Sequence, residues 1–200
     1  MKFTGINSTA KRILAGAALA ATLGLPACYA ADAAEQAGHD VWKFGSEIDV
    51  LPYATKGYYG SAFAGRDGWR FRGVAARSTT PSFLVTDGFK EKRTDAYALL
   101  VDRFFGSERL ELKGFWIGGG GEYWRNRIRT DESPEFAHYN NFMLTVGGGY
   151  VWKFSRHFYL NPWVGGHFVA AGERKIAVSG KTYEQPVFTP EFSFKVGFTF

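Results

Sequence analysis

The sequence lacks several features that would define common protein classes. Its single cysteine, Cys28, excludes an intramolecular disulfide. After residue 30 it has no run of 18 apolar residues, the length that a membrane-spanning helix requires. Its four histidines lack the close spacing of a metal site, so we predict no metal and no cofactor. The glycine-rich stretch 116–121 lacks the GxGxxG and GxxxxGK patterns, which argues against a phosphate-cradling loop.

The chain also lacks a strong excess of basic charge once its N-terminus is set aside. The formal net charge is +5, but residues 1–30 contain three basic residues and no acid. Without them, 21 basic residues face 19 acidic ones. The basic balance therefore gives no reason to expect a nucleic acid partner, and we predict none.

Residues 1–30 are predicted to be a secretory signal peptide. They combine basic residues, the apolar stretch ILAGAALAATLGLPA and small residues at the end, which is the pattern of an export signal. Cleavage after Ala30 is one possibility. The other is a lipobox-like site at Leu25-Pro26-Ala27-Cys28, in which Cys28 would be lipidated. Residues 31–41 are predicted to be a short polar lead-in.

What the sequence has in abundance is aromatic residues and glycine, at 18% aromatics and 25 glycines. The chain ends EFSFKVGFTF, with apolar residues at every second position from Phe192 to Phe200. This period of two is typical of a β-strand, whose successive side chains point to opposite faces. An apolar environment must cover the phenylalanine face, and the membrane lipid can do so.

The rest of the chain divides into strands at its turn signals. We predict strands at 42–53, 57–65, 69–78, 94–105, 110–128, 138–154, 157–172 and 187–200. Tight turns are expected at 66–68, 106–108 and 155–156, and long loops at 79–93, 129–137 and 173–186. Short turns at one end and long loops at the other are typical of a transmembrane barrel. The predicted fold is all-β, an eight-stranded antiparallel up-and-down barrel over residues 42–200.

The chain resembles the small outer-membrane β-barrels of the OmpA and OmpX type over about residues 42–200. The most specific element is the C-terminal strand, which resembles the signal read by the barrel-assembly machinery: Phe194, Val196, Phe198 and Phe200. The resemblance implies a location in the outer membrane of Gram-negative bacteria, contact with that machinery during biogenesis and a monomer. It does not give a function, because this family includes adhesins, stress proteins, small pores and lipid A-modifying enzymes.

Strand alternation also predicts which polar residues point into the barrel. They form a set of mixed charge, which we interpret as an interior ion-pair network: Glu47, Asp49, Arg70, Arg72, Asp102, Glu122, His167 and Lys195. An eight-stranded barrel is only wide enough for side chains to fill it, and buried charges must be paired. A structural core is one interpretation, and a narrow gated pore is the alternative.

Two further alternatives concern activity and ligands. A lipid A-modifying enzyme would need a nucleophile beside a histidine, but the His-x-Ser pattern is absent and no serine stands beside His167, so we predict no enzyme. A soluble lipocalin-like barrel would have apolar residues inside and polar ones outside, which reverses the alternation. Mid-strand glycines, with Gly119 expected opposite Gly148, either make room for inward tryptophans or form an outward dent that includes Gly121 and Gly166.

A ladder of arginines continues the outward face of the fifth predicted strand beyond Tyr123. Arg125, Arg127 and Arg129 would emerge where the apolar band ends and lipopolysaccharide phosphates lie. Further basic residues in the neighbouring long loops would extend this rim: Lys90, Lys92, Arg93, Arg174, Lys175 and Lys181. Arginine suits phosphate because its planar fork donates two parallel hydrogen bonds. Lipopolysaccharide is the predicted partner, and solvated loop charges are the alternative.

Overall fold

The computed structural model describes residues 41–80, 82 and 85–200. The predicted signal peptide, with Cys28, and all of the polar lead-in except Val41 lie outside the described residues. Within the described ranges, no helix is long and apolar enough to cross a membrane.

Eight strands of the described chain close into a barrel. Neighbouring strands pair antiparallel in the ring order β1-β10-β7-β6-β5-β4-β3-β2, and β1 against β10 completes the ring. The barrel strands are β1 Lys43–Asp49, β2 Tyr58–Arg66, β3 Trp69–Thr80, β4 Phe89–Phe104, β5 Gly114–Thr130, β6 Ala137–Lys153, β7 Phe158–Gly172 and β10 Phe188–Thr199. A separate hairpin consists of β8 Lys175–Val178 and β9 Lys181–Glu184. The predicted fold class is confirmed.

The barrel wall has an apolar outer face and a polar inner face. Leu99, Phe115 and Phe192 are 77%, 68% and 65% exposed on the outside. Their sequence neighbours Trp116 and Ser193 are buried inside. A lipocalin-like barrel would show the reverse arrangement, so that alternative is wrong. An outer face of this kind requires lipid, and the antiparallel pairing around the ring satisfies backbone groups of the wall without water.

Several strand ends differ from the prediction. The first strand stops at Asp49 because the helical turn α1 (Leu51–Ala54) follows it, with Pro52 in its first positions. Proline has no N–H for a strand ladder, so the chain turns away there. The connection after β4 is not the tight turn predicted at 106–108. It spans 105–113 and contains a 3-10 turn at Arg109–Glu111. Strand β4 begins at Phe89, five residues earlier than predicted.

Two turns have the same backbone geometry, but only the first lies where the sequence predicts a tight turn. Asp67 and Gly68 have φ of 54° and 74°, which is a two-residue turn that fits the twist of a hairpin, as predicted. Ser179 and Gly180 have φ of 46° and 80°, and they join β8 to β9 inside the segment 173–186 that was predicted to be a loop.

The mid-strand glycines mainly make room for aromatic rings. A Cβ at Gly147 or Gly165 would collide with the ring of Trp163, which supports the interpretation of space for inward tryptophans. Gly119 lies opposite Val146 and not opposite Gly148 as predicted, and the predicted outward dent is partly filled. Rings cover two of its four glycines, since Phe142 lies over Gly121 and Phe188 over Gly166.

Candidate functional sites: the lumen and the basic outer face

A cluster of four charged side chains crosses the lumen near the end where the chain termini of the barrel meet. Arg70 donates to Glu47 at 2.9 Å and to Asp102 at 2.7 Å. Arg72 binds Asp102 through both its Nε and Nη2, at 2.7 and 2.9 Å. All four side chains are buried. We call Glu47, Arg70, Arg72 and Asp102 the ion cluster.

The barrel topology brings the ion cluster together. Arg70 lies directly opposite Asp102 in the β3–β4 register, and Glu47 reaches them from β1. Tyr159 and Asn161 of β7 donate to Glu47 at 3.0 and 2.8 Å. The ring of Trp116 lies 5.2 and 5.1 Å from the two guanidinium carbons. Paired charges, neutral donors and an aromatic ring therefore fill this level of the lumen.

The other predicted interior residues point inward but do not contact the two arginines. Asp49 accepts hydrogen bonds from Ser193 at 2.5 Å and from the backbone N–H of Leu51 at 3.0 Å. The Lys195 ammonium lies between two rings, 4.8 Å from the centre of Tyr59 and 4.6 Å from that of Trp163. The interior is thus divided into separate groups and is not one continuous network.

A third group surrounds His167 higher in the lumen. Its Nδ1 lies 2.8 Å from the Thr145 hydroxyl, and its Nε2 contacts the Glu191 carboxylate. Thr145 also donates to Glu122 at 2.7 Å. A carboxylate only accepts hydrogen bonds, so the single Thr145 proton points at Glu122 and the hydroxyl accepts from His167. His167 is therefore not placed to remove that proton, as a general base in a nucleophilic triad must.

The predicted arginine ladder lies on the outer face of β4 and β5. The register places Asp95 opposite Arg125, Arg93 opposite Arg127, and Glu91 opposite Arg129. One step below this ladder, Tyr97 lies opposite Tyr123 and Phe142 follows on β6. The ladder thus begins where exposed aromatic side chains end. We call Arg93, Arg125, Arg127 and Arg129 the arginine patch.

The arginine patch is only partly neutralised. Glu91 accepts from Arg93 at 3.3 Å and from Arg129 at 2.9 Å. Arg127 and Arg129 lie over the Phe136 ring at 5.4 and 5.3 Å. The buried Nε atoms of three patch members have no hydrogen-bond partner in the described chain: Arg93, Arg127 and Arg129. The described chain therefore leaves these three guanidinium groups incompletely paired.

The remaining predicted rim residues do not gather around the patch. Lys92 points inward, because it lies opposite the buried Ile128, and it donates to Gln185 at 2.8 Å and to Tyr183 at 3.2 Å. Its predicted place on the outer rim is therefore wrong. Arg174 pairs with Glu184 at 3.0 Å and Lys181 with Glu132 at 2.9 Å, while Lys90 and Lys175 are exposed.

Sequence reasoning missed the hairpin β8–β9, which covers the ends of β4 to β6. It contributes Ile176, Val178 and Tyr183 to one buried cluster, which the barrel extensions complete with Phe89, Ile128 and Tyr139. Burial raises the pKa of the Tyr183 phenol. The signal was present in the sequence, since alternating Ile176 and Val178 precede Ser179-Gly180, a dipeptide that marks turns.

The predicted assembly residues share one face of the last strand. Val196 lies between Ile48 of β1 and Leu160 of β7, and the ring of Phe198 packs 5.0 Å from that of Phe158. The backbone N–H of Phe200 donates to the Phe44 carbonyl at 3.0 Å.

Among the described residues, no group of three or more potential ligands is placed to hold a metal ion.

Comparisons with known proteins reveal a shared fold. No protein-family model matches the chain, and no curated protein matches its sequence. The crystal structure of Neisserial surface protein A matches with a TM-score of 0.50 at 12% identity, covering 80% of this chain and 96% of that one. The N-terminal β-barrel domain of Pseudomonas aeruginosa OprF matches at 15% identity over 80% and 94% of the two chains, with a TM-score of 0.47. A major outer membrane protein of Thermus thermophilus matches at 12% identity over 80% and 100%, also with a TM-score of 0.47.

At these identities the likeness concerns the fold alone. The predicted resemblance to small outer-membrane barrels is confirmed at that level. The apolar outer face of the closed barrel adds an independent reason for a place in a membrane, which for this architecture is the bacterial outer membrane.

Proposed function

We propose that this protein is a non-enzymatic outer-membrane barrel whose arginine patch binds the phosphate groups of lipopolysaccharide. The observation that carries the proposal is the direct cross-strand pairing of Arg93 with Arg127. Like charges directly opposite each other on neighbouring strands are destabilising. A bound dianionic phosphate would turn this repulsion into attraction.

The incomplete pairing of the patch arginines supports the same ligand. Three guanidinium Nε atoms are buried without an acceptor in the described chain, and such groups carry a desolvation penalty until they are paired. Phosphate supplies several acceptor oxygens, and arginine binds them through two parallel hydrogen bonds. Glu91, which bridges Arg93 and Arg129, holds the two side chains near one another.

The height of the patch fits the phosphate level of the outer leaflet. An arginine on the lipid face costs roughly 2–4 kcal/mol at the bilayer midplane and about 0–1 kcal/mol near the interface. Tyr97, Tyr123 and Phe142 lie directly below the patch, and aromatic residues of this kind form the interfacial girdle of such barrels. The arginines are therefore tolerable where they stand only if this level is the headgroup region.

Two features of the lumen support a role without transport or catalysis. The ion cluster and the Trp116 ring occupy one level of the lumen, which argues against the alternative of a gated pore. The Thr145 proton directed at Glu122 argues against an acyl-transfer enzyme.

The test is the thermal stability of the detergent-purified barrel with and without lipopolysaccharide. We expect lipopolysaccharide to raise the Tm of the parent and to leave an Arg125/Arg127/Arg129→Ser variant unchanged, because stabilisation by a ligand follows its affinity for the folded state. An Arg103/Arg109/Arg156→Ser variant is the matched control, since it removes three arginines near the opposite rim.

Two results would contradict the proposal. One is equal stabilisation of the parent and the patch variant. The other is loss of stabilisation in the control variant, which would show a general charge effect. Inorganic pyrophosphate at the same phosphate concentration separates the two sources of phosphate. If only lipopolysaccharide raises the Tm, the site is assigned to the lipid. An equal rise in Tm with pyrophosphate would overturn that assignment.

A further inference from the structure

The lumen above the ion cluster contains a cavity of about 370 Å³. This volume lies within the range of small-molecule sites, roughly 300–1,000 Å³. The wall from β3 and β4 is apolar in its lower part, with Val74, Ala76, Ala98 and Leu100, and polar above it, with Arg77, Ser78, Lys92 and Thr94. The ring order places β7 and β10 across from these strands, and they line the cavity with His167, Glu191 and Lys195. The cavity is therefore amphipathic.

The barrel wall has a gap at the level of this cavity. The last ladder bond between β1 and β10 joins the Val50 N–H to the Phe194 carbonyl at 3.3 Å. Beyond it, β10 runs to Phe188 with β7 as its only ladder partner among the described strands, because the chain leaves the wall at α1. From Phe194 towards Phe188, every second residue points its backbone N–H and C=O groups towards this open edge. One of them is Pro190, which has no N–H to leave unpaired.

The gap connects the cavity to the lipid-facing surface. Residues on both sides of it line the cavity: Leu51 and Pro52 of α1, and Pro190 and Phe192 of β10. Phe192 is 65% exposed, and Phe188 is exposed above it on the same face. Exposed apolar side chains thus frame the opening on the outer surface of the barrel.

The Lys195 ammonium in the cavity wall has no carboxylate in direct contact within the described chain. The carboxylates that line the cavity have donors, namely Ser193 for Asp49, Thr145 for Glu122 and His167 for Glu191. Lys195 is 1% exposed, and among the described residues it makes ring contacts but no hydrogen bond and no ion pair. A buried ammonium without an anion is costly. A ligand with an anionic group would remove that cost.

We propose that the cavity binds a single-chain carboxylic acid, a fatty acid, that enters from the outer leaflet through the gap. The carboxylate pairs with the Lys195 ammonium between Tyr59 and Trp163. The methylene chain lies along the apolar part of the β3 and β4 wall and leaves between Leu51 and Pro190. The ion cluster closes the opposite route, so the ligand enters and leaves on the same side.

The first experiment measures binding of dodecanoate and dodecanol to the full barrel in a non-ionic detergent. Trp124 and Trp163 line the cavity and report binding by their fluorescence. We expect saturable binding of dodecanoate that is at least tenfold tighter than that of dodecanol. Lys195→Met should remove this difference, because it keeps the length of the side chain and deletes the charge. Lys90→Met, at an exposed lysine outside the cavity, should keep it.

A second pair of variants tests the site without changing any charge. Ala76→Phe places a ring into the cavity, and Ala75→Phe places the same ring on the lipid-facing side of β3. We expect the first to weaken dodecanoate binding at least tenfold and the second to leave it unchanged. Equal binding by parent, Lys195→Met and Ala76→Phe would overturn the site. Weaker binding of hexadecanoate than of octanoate would overturn the side opening, because a closed cavity excludes the longer chain.

Discussion

Arg72 is the residue of the ion cluster whose loss gives the sharpest prediction. It makes both hydrogen bonds of a bidentate pair with Asp102, and its Nη1 lies 3.6 Å from Glu47. Removing one partner of a buried pair costs about 3–5 kcal/mol. Asp102 would retain the Arg70 bond at 2.7 Å, and Glu47 would retain Arg70 and two neutral donors. We therefore expect Arg72→Met to destabilise the barrel by about 3 kcal/mol, the lower end of that range.

A second substitution should recover part of this loss. Arg72→Met leaves two carboxylates beside one guanidinium, and adding Asp102→Asn restores one acid to one base. The amide oxygen that this substitution introduces can still accept from Arg70. Contacting residues of one network show coupling energies of about 0.5–3 kcal/mol. We expect the double variant to be about 1 kcal/mol more stable than Arg72→Met alone.

The assay is urea unfolding in lipid vesicles, followed by tryptophan fluorescence and by heat-modifiable mobility on a gel. Arg156→Met, at an exposed turn residue, is the control and should stay within about 0.5 kcal/mol of the parent. The reasoning fails if Arg72→Met unfolds at the urea concentration of the parent, or if the double variant is less stable than the single one.

Three further predictions concern assembly, conductance and the hairpin. Deleting Phe200 should lower the yield of folded, heat-modifiable barrel in the outer membrane, since it removes the end of the aromatic face and the bond to Phe44; equal yields would contradict this. In planar bilayers the parent should show no steady single-channel current, and Arg70→Ala/Arg72→Ala should show one; a conducting parent would favour the pore alternative. Gly180→Val should destabilise the hairpin by about 1–2 kcal/mol, because φ is 80° at this position. This variant should therefore be cleaved faster by protease between β8 and β9. The control Thr182→Val should be cleaved at the rate of the parent.

Within the predicted strands, alternation was sufficient to predict which face a side chain occupies, but not which side chains meet. Residues such as Glu47, Arg70 and Asp102 point inward because the side-chain period of a strand is two. Their contacts depend on the stagger between strands that are far apart in sequence, and local pattern carries no information about it. For this reason the sequence predicted one network that included Asp49 and Glu122, while the structure has separate groups.

Lys92 was misplaced because β4 begins five residues before the predicted start. Lys92 lies in the regular register opposite Ile128, so it faces inward by the same alternation as Thr94. The segment 89–93 falls within the predicted loop 79–93. Its outer side chains, Glu91 and Arg93, are charged and its inner ones contact the hairpin, so neither face shows the apolar alternation by which strands are recognised.

Unequal strand length is the physical property from which both proposed sites of this barrel arise. Strands β4 to β6 extend past the aromatic girdle, and this extension holds the arginine patch beyond the aromatic side chains. On the other side of the ring β1 ends at Asp49, because Pro52 and α1 divert the chain, and β10 loses its partner there. A barrel with eight strands of equal height would have neither the raised patch nor the gap. Extending β1 with a non-proline residue at position 52 should therefore affect the fatty acid site and leave lipopolysaccharide stabilisation intact, which makes Pro52→Val a variant that separates the two proposals.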